Sequence, residues 1–304
     1  MRWAATNDDQ WLRLIPDLRW PANDGHRRPW IWPFLVVMCA AAQIPMAAAC
    51  NAGVGILPLR MRIAVLSDIH ANLAALEAVR ADLTDVDQVW VLGDIVGYGP
   101  QPNEVISLLQ EMGARSVLGN HDGAAIGIVD PAYFNPDARA AIEWTAGVID
   151  GNTRAYLATL PEVRRDAELT AVHGSPRDPI WEYISSRSIA AANFDSFESR
   201  LCLFGHTHLP IAYRLTDGDV EAVPGLPDEV VHIGSARALL NPGSVGQPRD
   251  GLPDAAYAIL ELGDRADGAT IAFHRVRYEI DRTQRLMQEA GLPARLVERL
   301  RYGR

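Results

Sequence analysis

Asp, Asn and His recur at five points in the chain, each time beside a glycine or serine and just after a short apolar run. The five are Ser67-Asp68-Ile69-His70, Gly93-Asp94, Gly119-Asn120-His121-Asp122, His173-Gly174 and Gly205-His206-Thr207-His208. Carboxylate, amide and imidazole groups without thiolate are a donor set for borderline divalent cations. Five of the eight histidines fall inside these motifs. In extended chain, residues i and i+2 point the same way. Asp68 and His70 are therefore expected to reach one ion, and His206 and His208 to reach one from the other side. Each motif alone has an ordinary reading. A DxH is often a helix cap beside a surface histidine, a GD a turn, a GNHD a hairpin tip, and HG carries no information. The ordered set is what points to a metal site.

Each motif is placed by the element before it. RIAVLS (62–67) reads as a strand, followed by a helix from about Asn72 to Leu83 with Leu73, Leu76, Val79 and Leu83 on one face. QVWVL (88–92) is a second strand, then a helix near Pro102, a residue suited to a first turn. RSVLG (115–119) is a third strand, and 136–160 reads as two helices broken near Gly151. ELTAVH (168–173) and RLCLFG (200–205) are two more strands. Every motif thus lies where a strand's carboxyl end opens into a loop, the edge at which open α/β sheets bind ligands. Beyond Gly205 six strand-like runs follow, separated by DG, GLP and PRDG turns, and the tail from Asp281 forms two short helices split at Gly291-Leu292-Pro293. His232 and His274 sit in strand patterns, and Cys202 between Leu201 and Leu203 is a core position. An α/β first half and a β-rich second half predict two packed mixed sheets with helices outside.

Composition narrows the partners. The chain has 304 residues, 28 basic and 38 acidic, and all 28 basic residues are arginine. Residues 1–60 hold six Arg and four Asp, so the remainder carries 22 basic and 34 acidic residues, a net charge of −12. Such a domain repels phosphate backbones, which argues against tight nucleic-acid binding. An anionic substrate then needs fixed local positive charge, which bound metal ions supply. With three cysteines, two of them before residue 61, there is neither a disulfide framework nor a thiolate cluster. That count suits a reducing compartment, and a cytoplasmic location is expected.

The order DxH, GDxxG, GNHD, HG, GHTH resembles the calcineurin-like metallophosphoesterase superfamily over about residues 61–262. The resemblance implies a four-layer sandwich of two mixed sheets flanked by helices, and a hydrolase acting on phosphate esters, with diesters preferred over monoesters and dinucleotide polyphosphates. Carried over residue by residue, Asp68, His70 and His208 would bind one divalent metal ion, and Asn120, His173 and His206 a second, with Asp94 bridging. The ions would be manganese first, with iron, zinc or cobalt as alternatives, and a hydroxide held between them would attack phosphorus. His121 resembles the family histidine that meets the substrate and protonates the leaving group, and Asp122 is placed to orient it. Ser/Thr protein phosphatases and symmetrical diadenosine-tetraphosphate hydrolases carry an arginine after the second motif. Here the chain reads Ile95-Val96-Gly97-Tyr98-Gly99-Pro100. That departure makes it more similar to the small bacterial phosphodiesterases, and leaves Tyr98 and Arg177 as substrate-contact candidates. Arg177 reads equally as a surface salt bridge. Asn241-Pro242-Gly243-Ser244-Val245-Gly246 also resembles a family segment, and reads as turn structure beside the metals. Specificity is expected in the loops around 123–135 and 174–190. Some members of the superfamily are non-catalytic scaffolds with replaced ligands; here all seven ligand positions and His121 are intact.

Residues 1–60 read as an extension outside the fold. They hold five of the eight tryptophans, show no sustained period, and contain the apolar stretch from Trp30 to Cys50. The favoured reading is a translation start at Met61, immediately before the first strand. A membrane anchor over 30–50, an export signal ending near Cys50, or a small folded module are the alternatives. The expected organisation is a catalytic domain at 61–280 with a helical tail at 281–304 packed on it.

Overall fold

The hexapeptide MRIAVL, its last four residues buried, opens the fold as β1 (Met61–Leu66) and sets the pattern of the first half. α1 (Leu73–Asp82) follows, its N-terminus capped by Asn72, whose Oδ1 accepts from the Ala75 N–H. β2 (Gln88–Val91), α2 (Pro102–Glu111), β3 (Arg115–Ser116), α3 (Asn120–Ala125), α4 (Pro136–Val148) and α5 (Gly151–Ala158) come next. The break between α4 and α5 is made by Asp150, whose Oδ1 accepts from the Thr153 N–H at 2.7 Å. Then come β4 (Val163–Arg165), β5 (Leu169–Val172), α6 (Arg187–Asn193) and β6 (Leu201–Leu203). The β-rich half comprises β7 (Pro210–Thr216), β8 (Asp219–Pro224), β9 (Val230–Gly234), β10 (Arg237–Pro242), β11 (Ala255–Leu262) and β12 (Ala269–Val276). It ends in α7 (Ile280–Glu289) and α8 (Ala294–Arg299). This computed structural model describes residues 60–263 and 268–304. The expectations for residues 1–59, including the anchor, signal and start-site readings, lie outside the described residues.

The strands form two six-stranded mixed sheets, ordered β3-β2-β1-β11-β12-β9 and β4-β5-β6-β10-β7-β8. Each draws strands from both halves of the chain. β1 pairs in parallel with β2 and antiparallel with β11, while β10 is parallel to β6 and antiparallel to β7. Alternation along the strands separates the two faces. Ile63, Val65, Trp90 and Leu92 face Leu169, Leu201, Leu203 and Leu240 in the core between the sheets. On the outside, Ala64, Leu66, Val89 and Val91 pack under α1, α2 and α5, and Cys202, Phe204 and Tyr213 pack near Ala190 of α6. Cys202 is buried with a free thiol, as its flanking leucines imply. Among the described residues no helix is long and apolar enough to cross a membrane.

Four elements differ from the sequence reading. β3 is two residues long, and Asn120 begins a short helix rather than ending a strand. β4 and α6 have no counterpart in it, because three and seven residues are too short to carry a readable period.

The tail is joined to the body near the motif loops. Met287, Leu292, Leu296 and Leu300 form one apolar cluster with Tyr98, Ala138 and Ala141. The Thr283 hydroxyl donates to Asn72 Oδ1 at 2.9 Å. Met287 is 1% exposed, so Met287→Ala is expected to lower stability by about 2–5 kcal/mol through transfer and cavity costs. Urea unfolding measures this.

Candidate metal centre

The motif loops leave their strands in an unusual backbone conformation. Asp68, His70, Ala71, Asp94, Tyr98, His206 and His208 all have φ between +50° and +64°. For residues with a Cβ this costs roughly 1–3 kcal/mol each and persists only where surrounding structure imposes it. Here the loops impose it on one another. Asp68 N–H donates to Gly93 O at 3.1 Å, His70 N–H to Asp94 O at 2.9 Å, and Gly205 N–H to His173 O at 2.8 Å. Extended-chain alternation is therefore not what brings Asp68 and His70 together. Both residues lie past the end of β1, and left-handed turns, rather than extended chain, aim them inward. Gly119 is needed for close approach: a Cβ there would stand 2.2 Å from Asp94 Oδ1.

The side chains converge as three overlapping groups: Asp68 with His70 and His208, Asp94 with His173 and His206, and His70 with Asp94 and His121. His206 and His208 thus part company, each joining a different carboxylate. Backbone carbonyls fix three of the imidazoles. His173 Nδ1 donates to Leu92 O at 2.8 Å, His70 Nδ1 to Val96 O at 3.3 Å, and His208 Nδ1 to Gln247 O at 2.5 Å. This leaves the Nε2 lone pair of each ring facing the cluster, the arrangement that orients metal-binding histidines. His70 Nε2 and His208 Nε2 then lie 3.3 Å apart, and His208 Nε2 lies 3.1 Å from Asp68 Oδ1.

Each carboxylate is half committed. Asp68 Oδ2 accepts from Ser67 Oγ at 2.6 Å and from the His206 N–H at 3.1 Å, while Oδ1 makes no hydrogen bond. Asp94 Oδ1 accepts from the His121 N–H at 2.9 Å. Asp94 Oδ2 stands between the groups, 3.7 Å from His70 Nε2 and 3.4 Å from His173 Nε2. Asn120 Oδ1 is 3.1 Å from His173 Nε2. With the amide turned the other way, its nitrogen would instead donate to Asp94 and His173. His206 Nε2 is buried and without a hydrogen bond. Lone pairs and carboxylate oxygens aimed at one another in a buried site repel unless positive charge stands among them. The donor set and its unmet acceptors fit divalent cations.

The electrostatics lead to the same requirement. Burial opposes the charge of Asp68, but His208, His173 and the Ser67 hydroxyl together outweigh it and hold the carboxyl well below its usual range. Burial likewise opposes Asp94, with His173, His121 and His70 together outweighing it. His70, His206 and His208 are pushed down by burial, towards the neutral form that a metal requires. Burial also lowers His173, yet Asp94 raises it to about 9. The proton so attracted marks where a cation's charge is wanted.

His121 and Asp122 are separate in function. The His121 ring is buried, its Nδ1 makes no hydrogen bond, and burial lowers it to about 4. Asp122 does not orient it. Its Oδ1 accepts from the Val96 N–H at 2.9 Å and its Oδ2 from the Gly119 N–H at 3.0 Å, fastening the second motif loop to the third. Burial and the charge of Asp94 raise Asp122 to about 7. Gly97, at φ +87°, leaves room for the His121 ring, and a Cβ there would lie 2.5 Å from Nδ1. Gly97→Ala is therefore expected to lower turnover by about 10²-fold, the scale of a 1 Å misplacement, with metal content unchanged. Steady-state kinetics beside metal analysis checks this.

The two candidate substrate residues have defined neighbours. Arg177 forms a two-point ion pair with Glu182, the salt bridge that its sequence position equally suggested. Tyr98 is 5% exposed and packs against His70 and His121 at ring-centroid distances of 4.5 and 4.4 Å. It supports both rings rather than presenting a surface to a substrate. Of residues 241–246, read from the sequence as turn structure, Asn241 and Pro242 end β10 and 243–246 form the loop beside the cluster. Asn241 Nδ2 donates to Gly205 O at 2.7 Å, and Ser244 Oγ donates to Asp68 O at 2.8 Å.

Two groups just beyond residue 246 escape the sequence reading. The Gln247 carbonyl orients His208, and the positive charge of Arg249 acts on His70, His121 and His208, helping to keep all three neutral. Arg249 is itself held by Gln247, whose Oε1 accepts from its guanidinium at 3.1 Å, and its position has no local motif of its own.

Known proteins resemble this chain in sequence and fold. Residues 61–265 match the model of the calcineurin-like phosphoesterase superfamily domain. An uncharacterised protein of Methanocaldococcus jannaschii is 36% identical over 254 residues, covering 81% of this chain and 100% of that one. The crystal structure of a metallophosphoesterase from Sphaerobacter thermophilus superposes with a TM-score of 0.72 at 48% identity, covering 81% of this chain and 100% of that one. A more local likeness, 30% over 110 residues, covers 34% of this chain and 39% of a symmetrical bis(5'-nucleosyl)-tetraphosphatase of Aromatoleum aromaticum. The two-sheet sandwich, the family match over the motif-bearing residues and these relatives agree: the chain belongs to the calcineurin-like phosphoesterase superfamily and is a phosphate-ester hydrolase.

Proposed function

We propose that the chain is a phosphodiesterase with two divalent cations, manganese first among them. Asp68, His70 and His208 hold one, Asn120, His173 and His206 hold the other, and Asp94 is shared. The observation that carries this reading is the position of Asp94 Oδ2, within 3.7 Å of His70 Nε2 and 3.4 Å of His173 Nε2. One carboxylate oxygen faces both sets of donors. Divalent cations held by these residues would supply an activated water near neutrality and charge stabilisation for phosphoryl oxygens. The chain's own part is to fix the donors in their deprotonated tautomers through Leu92, Val96 and Gln247. It also keeps His121 beside His70, 4.9 Å between ring centroids, where it can give a proton to a departing alkoxide. Arg249 adds positive charge on the same side.

The local likeness to a bis(5'-nucleosyl)-tetraphosphatase favours a second reading, hydrolysis within a dinucleoside polyphosphate. Turnover of the manganese-loaded protein on a panel of phosphate diesters, monoesters, cyclic nucleotides and diadenosine tetraphosphate decides between them. The first reading expects the highest kcat/KM on a diester. A preference of tenfold or more for the tetraphosphate supports the second.

A further inference from the structure

The two loops expected to set specificity meet over the metal centre, and they meet through aromatic rings. Tyr133 and Phe134 come from the first loop, and Trp181 and Tyr183 from the second. Ring centroids run His121 to Phe134 at 5.0 Å, Phe134 to Trp181 at 5.2 Å and Trp181 to Tyr133 at 5.9 Å. On the other side Tyr183 stacks on His206 at 3.7 Å and 24°. Rings therefore flank the centre on two sides, one set starting from the proposed acid, His121, and Tyr183 lying on a proposed ligand of the second cation, His206. Tyr133 is 73% exposed, and Phe134, Trp181 and Tyr183 are each half-buried. Large apolar rings left in contact with water at the rim of a polar centre have surface to offer a ligand.

The second loop is held rigid. Glu182 gathers Ser175 Oγ at 2.6 Å, Asn193 Nδ2 at 2.8 Å and the Arg177 guanidinium. Asp178 Oδ1 accepts from the Trp181 N–H at 3.2 Å, and the Gly174 N–H donates to Pro179 O at 2.7 Å. Arg177 thus takes on a purpose its salt bridge alone did not show. It stiffens the segment that carries Trp181 and Tyr183, and a pre-organised stacking surface costs less to use.

The geometry points to a stacking subsite, formed by Tyr133, Phe134, Trp181 and Tyr183, for a planar aromatic ring on the organic part of the phosphoester. The proposal rests on the phosphoesterase reading above and adds a substrate class to it: esters carrying a nucleobase or an aryl group. A ring face tolerates either, because stacking needs only a π-face.

Three p-nitrophenyl diesters test it, sharing one leaving group and differing in the group retained: methyl, phenyl and thymidin-5'-yl. The unaltered enzyme should show kcat/KM about 10- to 100-fold higher for an aromatic retained group than for methyl, the scale of one base stacked on an aromatic side chain. Trp181→Ala should abolish that preference by lowering kcat/KM for the phenyl and thymidinyl esters about 10- to 100-fold more than for the methyl ester, and Trp181→Phe should restore most of it. A gain for phenyl alone assigns the subsite to simple aryl groups, and a gain for thymidinyl includes nucleobases. Binding provides an arm free of turnover. The C–P-linked phosphonate analogue of adenosine 5'-monophosphate should bind about tenfold or more tightly than methylphosphonate by calorimetry, and Trp181→Ala should remove the difference. Failure of the phosphodiesterase reading would leave all three esters unhydrolysed with this difference in binding intact. Equal loss on all three esters in Trp181→Ala, or no aromatic preference in either assay, overturns the subsite and leaves the rings as loop packing.

Discussion

Asp94→Asn is expected to abolish turnover and to reduce bound metal from two ions per chain to one or none. The carboxylate has two tasks that an amide cannot combine. Its Oδ1 accepts the His121 N–H at 2.9 Å, and its Oδ2 faces both His70 and His173. An amide would either turn its NH2 against the His121 N–H or present it to the cations. The loss of negative charge also removes what raises His173, leaving that buried ring without its main electrostatic partner. Replacing groups that merely orient metal ligands already costs 10–100-fold in affinity or activity, so loss of a shared ligand should exceed about 100-fold. Metal analysis after dialysis, beside kinetics with saturating manganese, measures both effects. Two retained ions with activity within threefold of the parent would remove Asp94 from the bridging position.

His121→Ala is expected to separate chemistry from metal binding. The ring touches His70, Tyr98 and Phe134, and its Nδ1 is committed to no other group of the protein. A general acid contributes roughly 10²–10⁴-fold, and that loss is expected with metal content unchanged. The size of the effect should follow the leaving group. A nitrophenolate departs with little need of a proton, so its ester should lose least, whereas an alkyl ester should lose most. Rates over a series of leaving groups measure this slope. A uniform loss across the series would recast His121 as a group that binds the phosphate.

How much of this was legible in the sequence varies with the range of the interaction that decides it. The strands carrying the motifs were readable because buried β1, β2 and β5 are apolar runs bounded by Gly, Asp and His, a local pattern. The grouping of motif residues was also visible, since the motifs follow the carboxyl ends of neighbouring strands within each of the two packed sheets. The backbone that performs the grouping was not. Asp68, His70, His206 and His208 carry no glycine-like signal for a left-handed φ, and bonds from distant loops impose it. Asp122 illustrates the same limit. A carboxylate one residue from His121 suggested an orienting role, yet its oxygens are taken by the amides of Val96 and Gly119. Arg249 and the flanking aromatic rings were missed for a related reason: each acts across a gap closed only by tertiary packing, and neither has a period or motif to announce it.

The proposed chemistry turns on one carboxylate joining two cation sites built from these seven residues. Anomalous diffraction from crystals grown with manganese tests that arrangement. Two peaks about 3.5–4 Å apart are expected. One should be bounded by Asp68, His70 and His208, the other by Asn120, His173 and His206, with Asp94 within bonding distance of both. A single peak at full occupancy, or peaks away from Asp94, would refute the shared carboxylate.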